Sequence, residues 1–187
     1  MRGENTIVDG KYQAATEPTV AKNFINLFPK AQFEVVIDSS NTVSLNYAKT
    51  IARPDYSSTS QTSTYINPYF VWSDNINLNP TFTDEIALGY QYKDKSIRLA
   101  YYKITNPVYY SASYDNNQKL LTFTSKNFEL ETNLNLELTL PFKYKFWTTM
   151  NVFSASINSI EDESAIINKA KPNLILLFQS YFYLTLK

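Results

Sequence analysis

The segment Phe128–Leu140, FELETNLNLELTL, decides the fold class of this 187-residue chain. Apolar side chains fall at alternate positions along it, with polar residues between them. Successive side chains of a strand point to opposite faces, so the segment predicts a strand with one apolar and one polar face. A tilted strand crosses a bilayer in about 9–11 residues, a length that this segment reaches. The apolar positions are Phe128, Leu130, Leu134, Leu136, Leu138 and Leu140. The fold therefore depends on whether these leucines meet lipid or a protein core.

The composition favours β structure and excludes several classes of function. The chain has 15 Tyr and 12 Phe, and aromatic residues are enriched in strands. The formal net charge is zero, which argues against a nucleic-acid partner. The chain has no Cys and no His, which excludes disulfides, thiolate catalysis, His-containing triads and imidazole metal sites. We therefore expect no metal site, no cofactor and no enzymatic activity.

Alternation of polar and apolar residues predicts further strands along the chain, whereas two proline-containing stretches, Asp9–Lys30 and Arg53–Thr81, are predicted as long loops. A turn signal at Asp115–Gln118 predicts a protruding hairpin. The predicted strands are Arg2–Val8, Ala31–Asp38, Thr42–Ala52, Phe82–Tyr92, Ser96–Thr105, Asn106–Tyr114, Lys119–Leu140, Lys145–Ile157 and Asn173–Leu186.

Short and long connections alternate along this chain. Short turns are predicted at Asp38–Asn41, Lys93–Lys95 and Pro141–Tyr144, and a third long loop at Asn158–Pro172. In an up-and-down meander every second connection lies on the same side, so the short turns would share one rim and the long loops the other. This arrangement is typical of outer-membrane barrels. The alternative is a soluble β-barrel or β-sandwich that encloses the leucine face and binds an apolar ligand.

The segment Tyr47–Tyr92 carries three motifs: YAKTIARPDY, INPYF and NLNPTFTDEIALGYQY. In these motifs the chain resembles TonB-dependent receptors of Gram-negative outer membranes, specifically the outer-membrane protein β-barrel family. Asp74-Asn75-Ile76 replaces the usual Gly-Asn-Pro, and Thr81 stands where Glu is usual. We expect the motif residues to shape a loop and the entry to a strand. The matching residues are Tyr47, Ile51, Arg53, Pro54 and Tyr56, then Asn67, Pro68 and Phe70, then Leu78 and Pro80.

The resemblance implies an all-β antiparallel up-and-down meander that forms part of the wall of a transmembrane barrel. Such barrels have about 22 strands around a plug, so residues 1–187 are expected to be a fragment of roughly eight strands, without plug or signal peptide. The implied function is import of a nutrient, such as a siderophore or an oligosaccharide, across the bacterial outer membrane. The implied partners are outer-membrane lipid, a TonB-type energy-coupling protein acting through the plug, and a surface lipoprotein.

Several side chains are candidates for a direct role. Loop aromatics could stack on a sugar or siderophore, or pack the loop onto itself. The acidic run Glu161-Asp162-Glu163 is expected to be a solvated loop tip, with a Ca²⁺ contact as the alternative. Asp84 and Glu85 are neighbours on a strand and face opposite ways, so they form no acid/base pair. The loop aromatics are Tyr56, Tyr65, Tyr69, Phe70 and Trp72, and the acidic residues expected to line the lumen are Glu129, Glu131 and Glu137.

Overall fold

The computed structural model describes residues 2–10, 20–55, 59, 62–162 and 172–184. Most of them lie in strands, and no helix among them is long and apolar enough to span a bilayer. The strands are β1 (Arg2–Gly10), β2 (Val20–Phe28), β3 (Lys30–Val36), β4 (Asn41–Ala52), β5 (Ser63–Asn67), β6 (Phe70–Ser73), β7 (Thr81–Tyr92), β8 (Lys95–Thr105), β9 (Val108–Asp115), β10 (Leu120–Asn127), β11 (Leu130–Tyr144), β12 (Trp147–Glu161) and β13 (Asn173–Leu184).

Seven strands form one continuous sheet, which we call the wall sheet. Their order is β13-β12-β11-β8-β7-β4-β3, and every neighbouring pair is antiparallel. Neighbours in the sheet are therefore also successive wall strands along the chain, which confirms the predicted up-and-down meander. The sheet is open, because β3 and β13 end it rather than pairing with each other.

Short turns lie at one rim of the wall sheet, and the longer connections lie at the other. The turn after β3 is closed by Asp38, whose carboxylate accepts hydrogen bonds from the Ser40 backbone N–H at 2.7 Å and from the Asn41 side chain. These bonds, led by the one from Ser40, hold the pKa of Asp38 below its usual value. The other two short turns begin with residues of positive φ, Lys93 (54°) and Lys145 (53°).

The third short turn is not where the sequence predicted it. Pro141–Tyr144 continues β11 and pairs with β12, and the turn lies at Lys145–Phe146. Proline disfavours a central strand because it cannot donate to the ladder. Pairing of β11 with β8 ends at Thr139 opposite Ser96, however, so Pro141 lies beyond the end of β8. The missing N–H therefore costs no hydrogen bond on that side.

One face of the wall sheet, which we call the outer face, carries rows of apolar side chains that run across all seven strands. Leu134 and Leu136 are 40% and 39% exposed on this face. Substantial contacts between described strands occur only between hydrogen-bonded neighbours, apart from a small one between β2 and β4. No second layer of the described residues therefore covers the leucines. The central row is Phe33, Leu45, Leu88, Leu99, Leu136, Ala155 and Leu176, and the two flanking rows include Tyr47, Ile86, Tyr101 and Leu134 on one side and Val43, Tyr90, Ile97 and Leu138 on the other.

The opposite, inner face of the wall sheet is mainly polar over β4, β7, β8 and β11. Arg98 forms an ion pair with Glu85, and its guanidinium donates to the Tyr102 hydroxyl at 3.3 Å. Asp84, one residue before Glu85, accepts a hydrogen bond from Tyr47 on the outer face at 2.7 Å. The two carboxylates thus lie on opposite faces, as the alternation predicted.

Three strands lie inside segments that the sequence predicted as loops. β2 occupies part of Asp9–Lys30, and β5 and β6 occupy part of Arg53–Thr81. β2 pairs with β1, and its chain bends at Pro29 before entering the wall sheet as β3. None of the three shows a clean alternation of polar and apolar residues over its length in the sequence.

The predicted strand Lys119–Leu140, which contains the segment Phe128–Leu140, is interrupted in the structure. Phe128 and Glu129 lie between β10 and β11, and Phe128 packs against Tyr109 with ring centroids 5.2 Å apart. Phe128 therefore leaves the apolar row of β11. The Asn106 backbone N–H donates to the Glu129 carbonyl, and the Phe128 N–H donates to the Pro107 carbonyl at 2.8 Å. A two-residue break thus separates each strand of the β9–β10 hairpin from the wall sheet: Asn106 and Pro107 before β9, and Phe128 and Glu129 after β10.

Candidate functional site

A second sheet, which we call the loop sheet, is built from two separate connections at the long-loop rim. Its order is β5-β6-β10-β9. The β9–β10 hairpin comes from the connection between β8 and β11, and β5–β6 comes from the connection between β4 and β7. The two halves join through a parallel pairing of β6 with β10, from Phe70 opposite Leu121 to Ser73 opposite Thr124. The sheet thus holds both connections as one unit.

Aromatic rings from both halves pack on one face of the loop sheet. Phe123 on β10 meets Phe70 edge-on at 5.1 Å and lies parallel to Trp72 at 6.3 Å. Tyr110 on β9 contacts the edge of Trp72 at 5.2 Å. Aromatic pairs at these separations are stabilising by about 0.5–1.5 kcal/mol beyond the area that they bury. Phe123 and Tyr110 could not be identified as partners from the sequence, because they lie far along the chain from the motif.

Asparagine side chains fasten the chain before β7 to the base of the hairpin. The Asn127 amide donates to the carbonyls of Asn79 at 3.0 Å and Asn106 at 2.8 Å, and its Oδ1 accepts from the Asn79 backbone N–H at 2.7 Å. Asn75 donates to the Ser125 carbonyl at 2.9 Å. Between these contacts Leu78 is only 4% exposed. The third motif therefore contributes a buried anchor and a set of backbone contacts.

We expect Asn127→Ala to destabilise the loop sheet by about 1.5–4.5 kcal/mol, because it removes three hydrogen bonds that are each worth about 0.5–1.5 kcal/mol net. Asn117→Ala at the hairpin tip is the matched control, because there the backbone N–H makes the turn bond to Asp115. The measurement is the rate of limited proteolysis of the hairpin in the folded protein. Equal rates for the two variants would show that the Asn127 bonds do not hold the hairpin.

A cleft of about 300 Å³ opens where the loop sheet meets the wall sheet. It brings together the end of β4, the Leu78 anchor and the start of β9. Arg53 at its edge forms an ion pair with Glu4 of β1, so the β1–β2 hairpin also reaches this place. The cleft is lined by Ala52, Arg53, Pro54, Asp55, Leu78, Thr81, Val108, Tyr109, Tyr110 and Ser125.

Glu131 lies just below the cleft, at the top of the inner face, and is buried. Its two carboxylate oxygens accept hydrogen bonds from different elements: the Tyr109 hydroxyl at 2.5 Å and the Asn158 amide at 2.7 Å. Both partners are neutral side chains. Burial, together with this bond to Glu131, raises the pKa of Tyr109 on β9 to about 12.

The raised pKa of Tyr109 has a measurable consequence at alkaline pH. A phenol whose pKa is higher in the folded state stabilises that state fully below its unfolded pKa of about 10. This contribution is lost as the pH rises through about 12. We expect the difference in tyrosinate absorbance between the wild type and Tyr109→Phe to show a phenol titrating near 12. A difference that titrates near 10 would contradict the buried contact with Glu131.

A second contact ties the hairpin to the end of β12. Lys126 donates to Asp162 at 2.8 Å, and Asp162 is buried. The expectation of a solvated tip at Glu161-Asp162-Glu163 is therefore wrong for Asp162, because its carboxylate is turned towards β10 instead of solvent; Glu163 lies outside the described residues. Within the part of the chain that the structure describes, no group of three or more His, Cys, Asp or Glu side chains is arranged to hold a metal ion.

The structure brings some of the predicted residues together and separates others. Phe70 and Trp72 pack inside the loop sheet, whereas Tyr65 and Tyr69 are exposed on or beside β5. Tyr56 lies outside the described residues. Among the motif residues, Arg53, Pro54 and Leu78 line the cleft, Asn67 ends β5, Pro68 lies in the β5–β6 turn, and Pro80 precedes β7. The Asn67 side chain closes that turn by accepting from the Tyr69 backbone N–H at 2.9 Å.

Residues 1–186 match the Outer membrane protein beta-barrel family. The chain belongs to this family. The bacterial outer membrane is therefore its location, and the wall sheet is part of a barrel wall. The long-loop rim carries the cleft and the loop sheet, in keeping with the long extracellular loops and short periplasmic turns of such barrels.

Solved structures with the same fold include two receptors from Pseudomonas aeruginosa. The siderophore receptor PirA matches with a TM-score of 0.55 and 12% identity, over 84% of this chain and 35% of that one. A G324V mutant of the ferric enterobactin receptor PfeA matches with a TM-score of 0.51 and 9% identity, over 83% of this chain and 32% of that one. The barrel segment thus spans about a third of their length. A comparison with curated protein sequences gave no significant match.

Proposed function

We propose that this chain forms part of the barrel of a TonB-dependent receptor that imports a nutrient across the outer membrane. The observation that carries the proposal is the wall sheet of an outer-membrane family, with apolar rows on its outer face and polar clusters on its inner face. The fold shared with two receptors from P. aeruginosa supports it. Residues 1–187 would supply about eight strands of a larger barrel.

The proposal assigns partners to different parts of the molecule. Outer-membrane lipid surrounds the leucine rows, and a surface lipoprotein could cover the long-loop rim. A TonB-type energy-coupling protein acts through a plug encoded elsewhere in a longer polypeptide. The ligand, of the siderophore or oligosaccharide class, enters past the exposed loop aromatics Tyr65 and Tyr69. In this proposal the barrel is a receptor and transporter, not an enzyme.

Two measurements on the full-length protein in its native cells test the proposal. We expect it in the outer-membrane fraction, migrating differently on gels before and after heating, as folded membrane barrels do. We also expect uptake of its nutrient to stop when either the receptor gene or the TonB-type gene is deleted. A protein in the soluble fraction would support the alternative, a small β-protein that encloses an apolar ligand. Uptake that survives loss of the TonB-type protein would refute energy coupling.

A further inference from the structure

The charges around the cleft give the first indication of its ligand. Among the described residues that line it, the charged ones are Arg53 and Asp55, which have opposite sign. The Arg53 guanidinium is in an ion pair with Glu4. Sites that recognise multiply charged anions concentrate Arg or Lys side chains. The cleft lacks such a concentration and is suited to a ligand without net charge.

The second indication is an aromatic surface beside the cleft. Tyr110 is 70% exposed, and its ring makes an edge-type contact with Trp72 at 5.2 Å, while Trp72 stacks on Phe123. A tyrosine held by packing offers a large apolar area at low cost in conformational entropy. A sugar ring has an uncharged C–H face and a polar edge. Its C–H face can stack on the face of the Tyr110 ring.

The third indication is the set of neutral hydrogen-bonding groups. Ser125 lines the cleft with a hydroxyl group, and Thr81 adds a second hydroxyl, which donates to the Asn106 carbonyl at 2.8 Å and keeps its lone pairs as acceptors. A hydroxyl both donates and accepts, which matches the hydroxyl groups of a sugar. Pro54, Leu78 and Val108 provide the apolar remainder of the lining. The volume of about 300 Å³ is at the small end for ligand pockets, which suits one ring of a longer ligand.

We propose that this cleft binds a terminal sugar ring of a neutral oligosaccharide, with the ring stacked on Tyr110. This proposal names the ligand class of the proposed receptor, and import of the sugar depends on the proposed receptor function. It commits to a neutral sugar, in contrast to the iron-chelate ligands named for the two P. aeruginosa receptors.

The test uses the full-length receptor in detergent micelles with two probes: an immobilised panel of neutral oligosaccharides and a ferric catecholate. We expect binding within the neutral panel that changes little with salt, because no charge pair contributes to it. Tyr110→Ala should weaken that binding about tenfold, which corresponds to the upper range for loss of one aromatic stack. Tyr110→Phe should retain it.

Tyr114→Ala is the matched control, because Tyr114 lies on the same strand and is exposed, yet does not line the cleft. Each variant must keep the heat-dependent gel shift of the folded barrel. Binding of the ferric catecholate alone, equal losses for the Tyr110 and Tyr114 variants, or no binding of either probe would each overturn the inference. Energy-dependent uptake of the ferric catecholate would overturn the sugar inference but would leave the proposed receptor function intact.

Discussion

Replacing Leu136 with arginine should destabilise the barrel by about 2–4 kcal/mol, the cost of a lipid-facing cation at the bilayer midplane. Leu136 belongs to the central apolar row of the outer face and is 39% exposed there. In water an exposed arginine would cost almost nothing. The large effect is therefore specific to contact with hydrocarbon. The measurement is equilibrium unfolding of the full-length receptor by urea from lipid vesicles.

Two further arginine variants, one on β11 and one on β12, provide controls. Ser154→Arg lies on the inner face, where Ser154 is paired with Glu137, and should cost less than about 1 kcal/mol. Thr132→Arg lies on the outer face two positions beyond Leu134, nearer the long-loop rim, and should cost about 0–1 kcal/mol. If Leu136→Arg proved no more costly than Ser154→Arg, the outer face would not be in contact with lipid.

The second large effect should appear at the contact between Glu131 and Tyr109. Glu131→Gln and Tyr109→Phe should each destabilise the folded barrel, and a double-mutant cycle should give a coupling energy of about 1.5–3 kcal/mol, the range for hydrogen bonds to a charged group. The 2.5 Å bond is made by a buried carboxylate, so water replaces it poorly. The readout is the same urea unfolding, combined with protease sensitivity of the β9–β10 hairpin.

Tyr110→Phe combined with Glu131→Gln is the control cycle. Tyr110 is the next residue on β9, and its ring faces Trp72 rather than the carboxylate. Its coupling energy with Glu131 should be close to zero, because separated sites with no shared partner add independently. Equal coupling in both cycles would mean that the hairpin responds to the charge of Glu131 in general and not to this bond.

Much of the wall could be predicted from the sequence, because β4, β7, β8 and β11 each have one apolar and one mainly polar face. In β8 this alternation gave the strand and its faces, and over residues 130–140 of β11 it gave the faces and the exposure of Leu134 and Leu136. The short turns at Asp38–Asn41 and Lys93–Lys95 were also found, because Asp38 and Asn41 make local hydrogen bonds that leave a sequence signal.

The loop sheet could not be predicted in the same way. The parallel pairing of β6 with β10 joins residues about 50 positions apart, and nothing in either strand specifies the other. The cleft depends on that pairing, since it places Tyr109 and Tyr110 beside the motif residues Arg53 and Leu78. The motif therefore indicated one half of the site, and the other half, supplied by β9 and β10, was known only from the structure.

The central claim is that the leucine rows contact lipid while the alternate positions face a wet interior. Because the 187 residues contain no cysteine, single cysteines at Leu134, Leu136 and Leu138, and at Asn133, Asn135 and Glu137, can each carry a fluorescent label in the reconstituted receptor. A quencher attached to lipid chains should quench the three leucine positions, and a water-soluble quencher should quench the other three. Quenching of all six positions from water, or of the leucine positions by neither reagent, would contradict the claim.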